Sequence, residues 1–158
     1  MLIAVVCMSS AFAVLSQKLE VSGTGSVKGN WGVEITGITP TATQGTGTSN
    51  SANADLTVAT FAADLYQPGD SVTYTVTVEN TGNIDAKLDS ISSKVTPEYG
   101  TDDNQYVNFT YDGIASNSVL KAGESISFNV TVQYSSDVVS TTTMNATLTT
   151  VLNYVQNS

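Results

Sequence analysis

Histidine is missing from this chain of 158 residues, and all five of its basic residues are lysines, so arginine is missing as well. Without histidine, the chain cannot build a catalytic triad with a histidine base, a histidine metal site or an H-E-x-x-H protease helix. Without arginine, it has no guanidinium group for bidentate recognition of phosphate or carboxylate. We therefore expect a protein that has no catalytic activity, no cofactor and no resident metal.

Charge of either sign is scarce. Charged residues make up 12% of the chain, the formal net charge is −9 and the isoelectric point is about 4.1. A basic footprint for nucleic acid or anionic lipid is therefore missing, and we expect no nucleic-acid partner. The polar surface has to be built mainly from Ser, Thr, Asn and Gly, a composition typical of exported surface proteins.

The chain has one cysteine, Cys7, which excludes an internal disulfide. It lies in an apolar run, residues 1–13, that ends in Ala11-Phe12-Ala13 and fits the A-x-A pattern of signal-peptide cleavage. The run lacks the usual basic start, as a truncated signal peptide would, and is too short to span a bilayer as a helix. We expect cleavage after Ala13, a mature protein that begins near Val14, and no stable membrane anchor after processing. Retention of the run as the helix of a type IV pilin is the alternative.

The clearest pattern begins after the turn residues Pro68-Gly69-Asp70. Every second residue from Val72 to Val78 is apolar and the residues between are hydroxylic, which is typical of a half-buried β-strand. Asn80-Thr81-Gly82-Asn83 then predicts a turn, and alternation resumes at Ile84. The same pattern predicts further strands over residues 107–111, 126–134 and about 144–155.

The remaining segments are less regular. Residues 14–25 predict one strand, and residues 26–38 predict another in which Trp31 is a core anchor. Thr39–Asp55 is a low-complexity stretch of Thr, Gly, Ser, Asn and Ala, which predicts a loop. The apolar phase changes between Val58 and Phe61, which predicts a β-bulge near Ala59 and Thr60.

Polar motifs give three weak candidates for sites. The carboxylates Glu79, Asp85, Asp89 and Glu98 are expected in or beside hairpin turns on solvated faces. Asp102-Asp103-Asn104 offers clustered oxygens that suit calcium but lacks the spacing of an EF-hand, so a plain acidic turn is the expected structure. Three N-x-Thr sequons are candidate glycosylation sites, and they begin at Asn108, Asn129 and Asn145.

These patterns predict an all-β protein, a single immunoglobulin-like or jelly-roll β-sandwich with an N-terminal extension strand. The expected organisation is a signal peptide at residues 1–13, an N-terminal segment at residues 14–25 and the β-sandwich domain at residues 26–158. No hydrophobic tail follows Ser158 and the sequence has no Leu-Pro-x-Thr-Gly sorting signal, so we do not expect anchoring through the C-terminus.

Three motifs together resemble the camelysin and TasA-like biofilm-matrix fibre proteins, which are exported β-sandwich subunits. They are Ala-Phe-Ala followed by Leu-x-Val-x-Gly-Thr-Gly (Leu19 to Gly25), then Trp31-Gly-Val-Glu-Ile, then Pro-Gly-Asp and Asn-Thr-Gly-Asn. The resemblance implies that Val14–Val21 leaves its own subunit and completes the sheet of the next as a donor strand. Leu15, Leu19 and Val21 share one parity and are the candidate polymerisation residues.

The resemblance implies a structural subunit of a secreted, extracellular filament at the cell surface or in a biofilm matrix, with copies of itself as the partner. Two alternatives from other classes remain. One is a monomeric immunoglobulin-like binding module for a surface ligand, which aromatic residues clustered on an exposed face would favour. The other is the type IV pilin. An open sheet edge favours the fibre, because unpaired N–H and C=O groups invite another strand.

Overall fold

A computed structural model describes residues 32–97, 100–101, 104–139 and 142–157, with backbone alone at 100–101 and 104–105. These residues form strands and no helix, so none of the described segments is a helix that could span a membrane. The strands are β1 (Val33–Gln44), β2 (Thr48–Asp55), β3 (Val58–Leu65), β4 (Ser71–Asn80), β5 (Ala86–Thr96), β6 (Gly100–Thr101), β7 (Asn104–Gln105), β8 (Val107–Asp112), β9 (Val119–Leu120), β10 (Ser125–Tyr134) and β11 (Met144–Gln156).

Two antiparallel sheets pack face to face, which confirms the predicted all-β sandwich. The first sheet has the order β1-β4-β10-β8 and the second has the order β2-β3-β11-β5-β9. A separate two-stranded ladder joins β6 and β7. The central strands of the two sheets supply the core, and the edge strands lie at the two sides of the sandwich.

The central strands match the alternation in the sequence. Val72, Tyr74, Val76 and Val78 of β4 are all fully buried, and the strands predicted near residues 107–111, 126–134 and 144–155 are β8, β10 and β11. Because successive side chains of a strand point to opposite faces, each apolar row enters the core while the Thr and Ser rows face solvent.

Tyr74 shows how the two sheets are joined. Its ring lies 5.0 Å from that of Phe61 on β3, centroid to centroid, and its hydroxyl donates a hydrogen bond of 2.9 Å to the carbonyl of Ala62. Burial raises the pKa of the Tyr74 phenol above its ordinary value. A buried tyrosine needs such a partner for its hydroxyl, so this contact fixes the ring against the opposite sheet.

The turn predicted at Asn80 is present, but it does not make a hairpin. β4 and β5 belong to different sheets, so the chain crosses the sandwich there and the predicted hairpin setting of Glu79, Asp85 and Asp89 is wrong. The side chain of Asn80 is buried, and its amide group donates to the carbonyls of Ile84 (2.9 Å) and Leu120 (3.0 Å). These bonds hold the crossover in place. The fourth carboxylate predicted beside a hairpin turn, Glu98, lies outside the described residues.

The loop predicted over Thr39–Asp55 is wrong. The second half of β1 and all of β2 occupy it, joined by a turn at Gly45–Gly47. Both are edge strands whose side chains are mostly exposed, so backbone pairing to β4 and β3 replaces the apolar burial that the composition lacks. Gly45 is required in the turn because its φ is +68° and an added Cβ would meet the carboxylate of Asp70.

The bulge predicted near Ala59 and Thr60 is also wrong. β3 pairs with β11 without a register shift from Val58 to Leu65. The apolar phase changes instead at a two-residue turn, Leu56–Thr57, that joins β2 to β3, and Leu56 takes a positive φ of 50° there. Val58 therefore faces outwards and Phe61 faces the core, as consecutive positions of a regular strand require.

Part of the predicted N-terminal organisation lies outside the described residues, including residues 1–13, the segment Val14–Val21 and Trp31. From the predicted strand over residues 26–38, the described part starts at Gly32, and Val33 and Ile35 are buried in the core.

Candidate functional site

The sandwich has two sides, and on each side a strand of the first sheet lies beside a strand of the second. Three of these four strands are edge strands, and the fourth, β5, has only the two-residue strand β9 outside it. β1 and β2 form one side, which we call the β1–β2 side, and β8 and β5 form the other, the β5–β8 side. A hydrogen bond between Tyr111 of β8 and Ser93 of β5 spans the second side. Edge strands carry unpaired backbone groups, so these two sides are where another strand could bind.

The β1–β2 side is protected against strand addition. Pro40 lies within β1 and has no backbone N–H to offer a new partner. The pairing of β1 with β4 shifts register twice, between Ile35 and Gly37 and between Pro40 and Ala42, and β2 shifts once. Proline and bulges are devices by which natural sheets prevent edge-to-edge pairing.

The β5–β8 side carries fewer of these devices within its described strands, since the pairing of β5 with β11 shifts register once, between Leu88 and Ser90. β8 contains no proline and pairs with β10 without a register shift. β9 covers the outer edge of β5 only at Ala86 and Lys87. Among the residues that the structure describes, no strand pairs with the outer edge of β5 over the eight residues 89–96.

Half-buried apolar side chains line the seam between β5 and β8, and we call this seam the groove. The inward-facing residues Ile91 and Val95 of β5 and Phe109 and Tyr111 of β8 pack on the core but are only half-buried. Their partners on β11 and β10 are fully buried, as Leu148 opposite Val95 illustrates. The sandwich thus ends at the β5–β8 side with large apolar residues that lack a cover in the described structure.

Three hydroxyl groups meet in the middle of this groove. Tyr111 Oη is hydrogen-bonded to Ser93 Oγ and lies 2.8 Å from Thr150 Oγ1, and Ser93 Oγ lies 3.3 Å from Thr150 Oγ1. Thr150 is buried, while Ser93 and Tyr111 are half-buried. We call these three residues the hydroxyl cluster. Each hydroxyl can both donate and accept a hydrogen bond, so the cluster suits a polar side chain with both kinds of group.

The sequence carried a signal for the cluster that the predictions missed. Ser93 interrupts the apolar row Ile91–Val95, and Thr150 interrupts the apolar row Leu148–Leu152 of β11. A polar residue at a core-facing position of a strand indicates a partner. The register of β5 and β11 was needed to pair Ser93 with Thr150, and β8 brings Tyr111 from a different sheet.

The predicted donor residues Leu15, Leu19 and Val21 and the cleavage residues Ala11 and Ala13 lie outside the described residues.

The first described residue is Gly32, whose carbonyl accepts a hydrogen bond of 3.1 Å from the N–H of Gly82. Gly32 precedes β1 and so lies at the β1–β2 side, across the sandwich from the groove.

The three sequons lie on strands. Asn108 is exposed on the edge strand β8. Asn129 is half-buried on the central strand β10, where its Oδ1 accepts a hydrogen bond of 2.8 Å from Thr75, and Asn145 on β11 donates one of 2.7 Å to Asp64. Asn108 and Asn129 face outwards, as predicted, and glycosylation stays a prediction.

The predicted calcium turn falls mostly outside the described residues, since Asp102 and Asp103 are not described and Asn104 is described by its backbone alone. Within the described part of the chain, no group of three or more acidic or cysteine side chains could hold a metal ion. The carboxylate with the most contacts is Asp70, which is buried under four hydrogen bonds and has a structural role.

A polar hollow of about 360 Å³ lies on the outer face of the first sheet. Its lining is uncharged and holds no aromatic side chain, and among the described side chains Tyr66 is the exposed aromatic. The hollow is lined by Ala42, Thr43, Gln44, Ser71, Thr73, Thr131 and Gln133. This surface offers hydrogen bonds but no aromatic platform.

No family model, curated protein or solved structure matches this chain. The resemblance to the biofilm-matrix fibre proteins therefore stays a prediction from the sequence motifs. What the chain does has to be inferred from its sequence pattern and from the unequal sides of the sandwich.

Proposed function

We propose that this chain is the structural subunit of an extracellular filament, a biofilm-matrix or pilus-like fibre, and that it has no catalytic role. In this proposal Val14–Val21 of one subunit adds as a strand to the β5–β8 side of the next subunit. The observation that carries the proposal is the inequality of the two sides. β1 carries a proline and two register shifts and β2 carries one shift, whereas β8 is regular. The outer edge of β5, which shifts register once against β11, has no partner strand over residues 89–96 in the described structure.

The lengths and patterns of the two proposed partners agree. Val14–Val21 has eight residues, as does the open part of β5. Leu15, Leu19 and Val21 share one parity, so all three can face the groove while the main chain pairs with β5. At ~1.5–3 kcal/mol for each fully buried apolar side chain, they supply on the order of 5–9 kcal/mol before the entropy of ordering is subtracted.

The positions of donor and acceptor favour an open polymer. The donor segment precedes β1, and the groove lies at the opposite side of the sandwich from β1. An interface between two different surfaces is heterologous, and such an interface produces rings or open filaments rather than closed dimers. Each subunit would then bring one donor and one acceptor.

Export belongs to the same proposal. We infer that residues 1–13 are removed after Ala13, which places Val14 at the free end of the donor. The low charge and hydroxyl-rich surface suit an extracellular location at the cell surface or in a biofilm matrix. Copies of the same chain are the proposed partner, and nucleic acid is not, since the net charge is −9.

The proposal is tested with two changes in the donor. Protein that starts at Ser26 and the Leu19→Asp variant should remain folded, soluble and unable to form fibres, because the second buries an unpaired charge in the joint. Ser16→Asp is the matched control, since it adds the same charge at the opposite parity and should still polymerise. Sedimentation and negative-stain microscopy measure the outcome. Fibres formed by the truncated protein or by Leu19→Asp would refute the donor role.

A monomeric binding module is the second candidate, and the polar hollow on the first sheet is the observation that favours it. Its uncharged lining suits a neutral, hydroxyl-rich ligand. Fibre formation ranks first because the hollow has no aromatic platform, whereas the groove is lined by four large apolar side chains that are only half-buried. A secreted protein that stays monomeric at all concentrations would reverse this order.

A further inference from the structure

The hydroxyl cluster is an unusual lining for an apolar groove. Ser93 occupies the middle of the row Ile91–Ser93–Val95, which faces the groove, and Tyr111 places its hydroxyl on the same spot from the other sheet. An all-apolar row would bury a donor strand just as well. The three hydroxyls bond one another and still have free acceptor capacity, so they can bind a polar group on whatever covers them.

The proposed donor also has one polar residue within its apolar row. Its groove-facing parity reads Leu15, Gln17, Leu19 and Val21, so a single amide side chain interrupts an apolar row. We propose that Gln17 of one subunit binds the hydroxyl cluster of the next and thereby fixes the register of the donor on β5. This inference rests on the proposed donor-strand function and names the contact that makes the joint specific.

The chemistry of the two partners fits. The Gln amide group offers two N–H donors and one carbonyl acceptor, and hydroxyls can satisfy both kinds of group. With Gln17 level with Ser93, its neighbours Leu15 and Leu19 lie level with Ile91 and Val95, whichever way the donor runs. The apolar–polar–apolar rows then coincide.

Other registers of the donor on β5 are less favourable in free energy. A shift of one residue turns the whole apolar row of the donor away from the groove. A shift of two residues keeps the parity but places Gln17 against Ile91 or Val95 and a leucine on the hydroxyls. The amide of Gln17 is then buried without a partner, which is unfavourable, whereas the hydroxyls keep only their bonds to one another. One polar residue in an apolar seam is an established way to specify register.

Cysteine cross-linking in assembled fibres tests the register without altering the groove. The cysteines are placed on the opposite parity, at Ser16 or Lys18 of the donor and at Ser92 or Lys94 of β5, in a Cys7→Ser background. This gives four double variants. Ser92 and Lys94 are exposed on β5, so the substitutions leave the core intact.

The expected pattern is two cross-linked variants out of four. An antiparallel donor in the proposed register links 16 with 94 and 18 with 92, and a parallel donor links 16 with 92 and 18 with 94. A donor displaced by two residues in either direction links only one of the four. Intermolecular ladders on a non-reducing gel, or peptide mass spectrometry, distinguish these patterns. A single linked variant would overturn the register.

Removal of the amide is the second arm. Adding Gln17→Leu should keep the fibres but spread cross-links beyond the two variants, because nothing then distinguishes registers two residues apart. Ser93→Ala with Tyr111→Phe should do the same from the acceptor side, with a folded domain shown by its unchanged circular dichroism spectrum. The parent pattern persisting in Gln17→Leu would overturn the role of Gln17 alone.

Different results would overturn the donor strand and the role of Gln17 in its register. Adding Leu19→Asp should abolish every cross-link, and cross-links that survive it would overturn the donor strand itself. Fibres in which none of the four variants cross-links would likewise overturn pairing with β5.

Discussion

Asp70 is the residue on which one end of the sandwich depends. Its carboxylate accepts hydrogen bonds from Thr46 N and Oγ1 (both 2.9 Å), Tyr66 N (2.8 Å) and Gln67 N (3.1 Å). Burial alone would raise the pKa of this carboxyl, but the bonds from Thr46, Tyr66 and Gln67 outweigh it and hold the pKa below the ordinary 3.8. The ionised form therefore ties the Gly45–Gly47 turn to the turn before β4.

Asp70→Asn should destabilise the domain by about 2–4 kcal/mol at neutral pH, since an amide group cannot accept four hydrogen bonds and places its own N–H groups against donors. The free energy of unfolding in urea measures this. A lowered folded-state pKa gives stability that is complete above the unfolded value and is lost as pH falls through the folded value. The difference between parent and variant should thus shrink below about pH 4. A difference that stays constant down to pH 2 would contradict the role of the charge.

At the scale of the strands, the sequence predicts those that have one buried apolar face. β4, β10 and β11 could be predicted because their apolar rows, interrupted in β11 only by Thr150, are long and are buried between neighbours on both sides. The strands at Thr39–Asp55 could not, because an edge strand with exposed side chains needs only one backbone partner, and that partner comes from elsewhere in the chain.

The sequence also did not show how the turns connect the strands. The turn Asn80–Asn83 looks the same in sequence whether it makes a hairpin or a crossover, and the buried bonds from Asn80 to Ile84 and Leu120 decide for the crossover. For the candidate site, the parity of the donor could be read from the sequence. The acceptor groove could not, because it is built from β5 and β8 in different sheets.

A charge placed on the inner face of one side of the sandwich tests which side accepts the donor strand. Val95→Lys puts an ammonium group into the β5–β8 groove and should abolish fibres, with a loss of stability of about 1–2 kcal/mol because Val95 is half-buried and at the strand end. The matched control is Ala52→Lys, a half-buried inward position on β2, which should still polymerise. The sedimentable fraction and the thermal midpoint measure both effects. Equal loss of fibres in the two variants would contradict the assignment of the acceptor side.

At the scale of the whole molecule, the sandwich is asymmetric. Its protected side carries Gly32, the residue from which the described chain begins, and its open side carries the apolar groove and the hydroxyl cluster. A subunit with a donor on one side and an acceptor on the other can add copies without limit, since every joint is the same. The net charge of −9 makes copies of the chain repel one another, so the proposed joint would have to overcome that repulsion.

The most direct test is amide hydrogen exchange, which measures the protection of backbone N–H groups at the proposed contact between subunits. It compares the assembled fibre with the soluble Leu19→Asp subunit. Strand addition satisfies outward-facing N–H groups, so we expect new protection in fibres at residues 89–96 of β5. β1 and β2 should exchange alike in both samples. New protection confined to β1 and β2, or no new protection at β5, would contradict strand addition at the β5–β8 side.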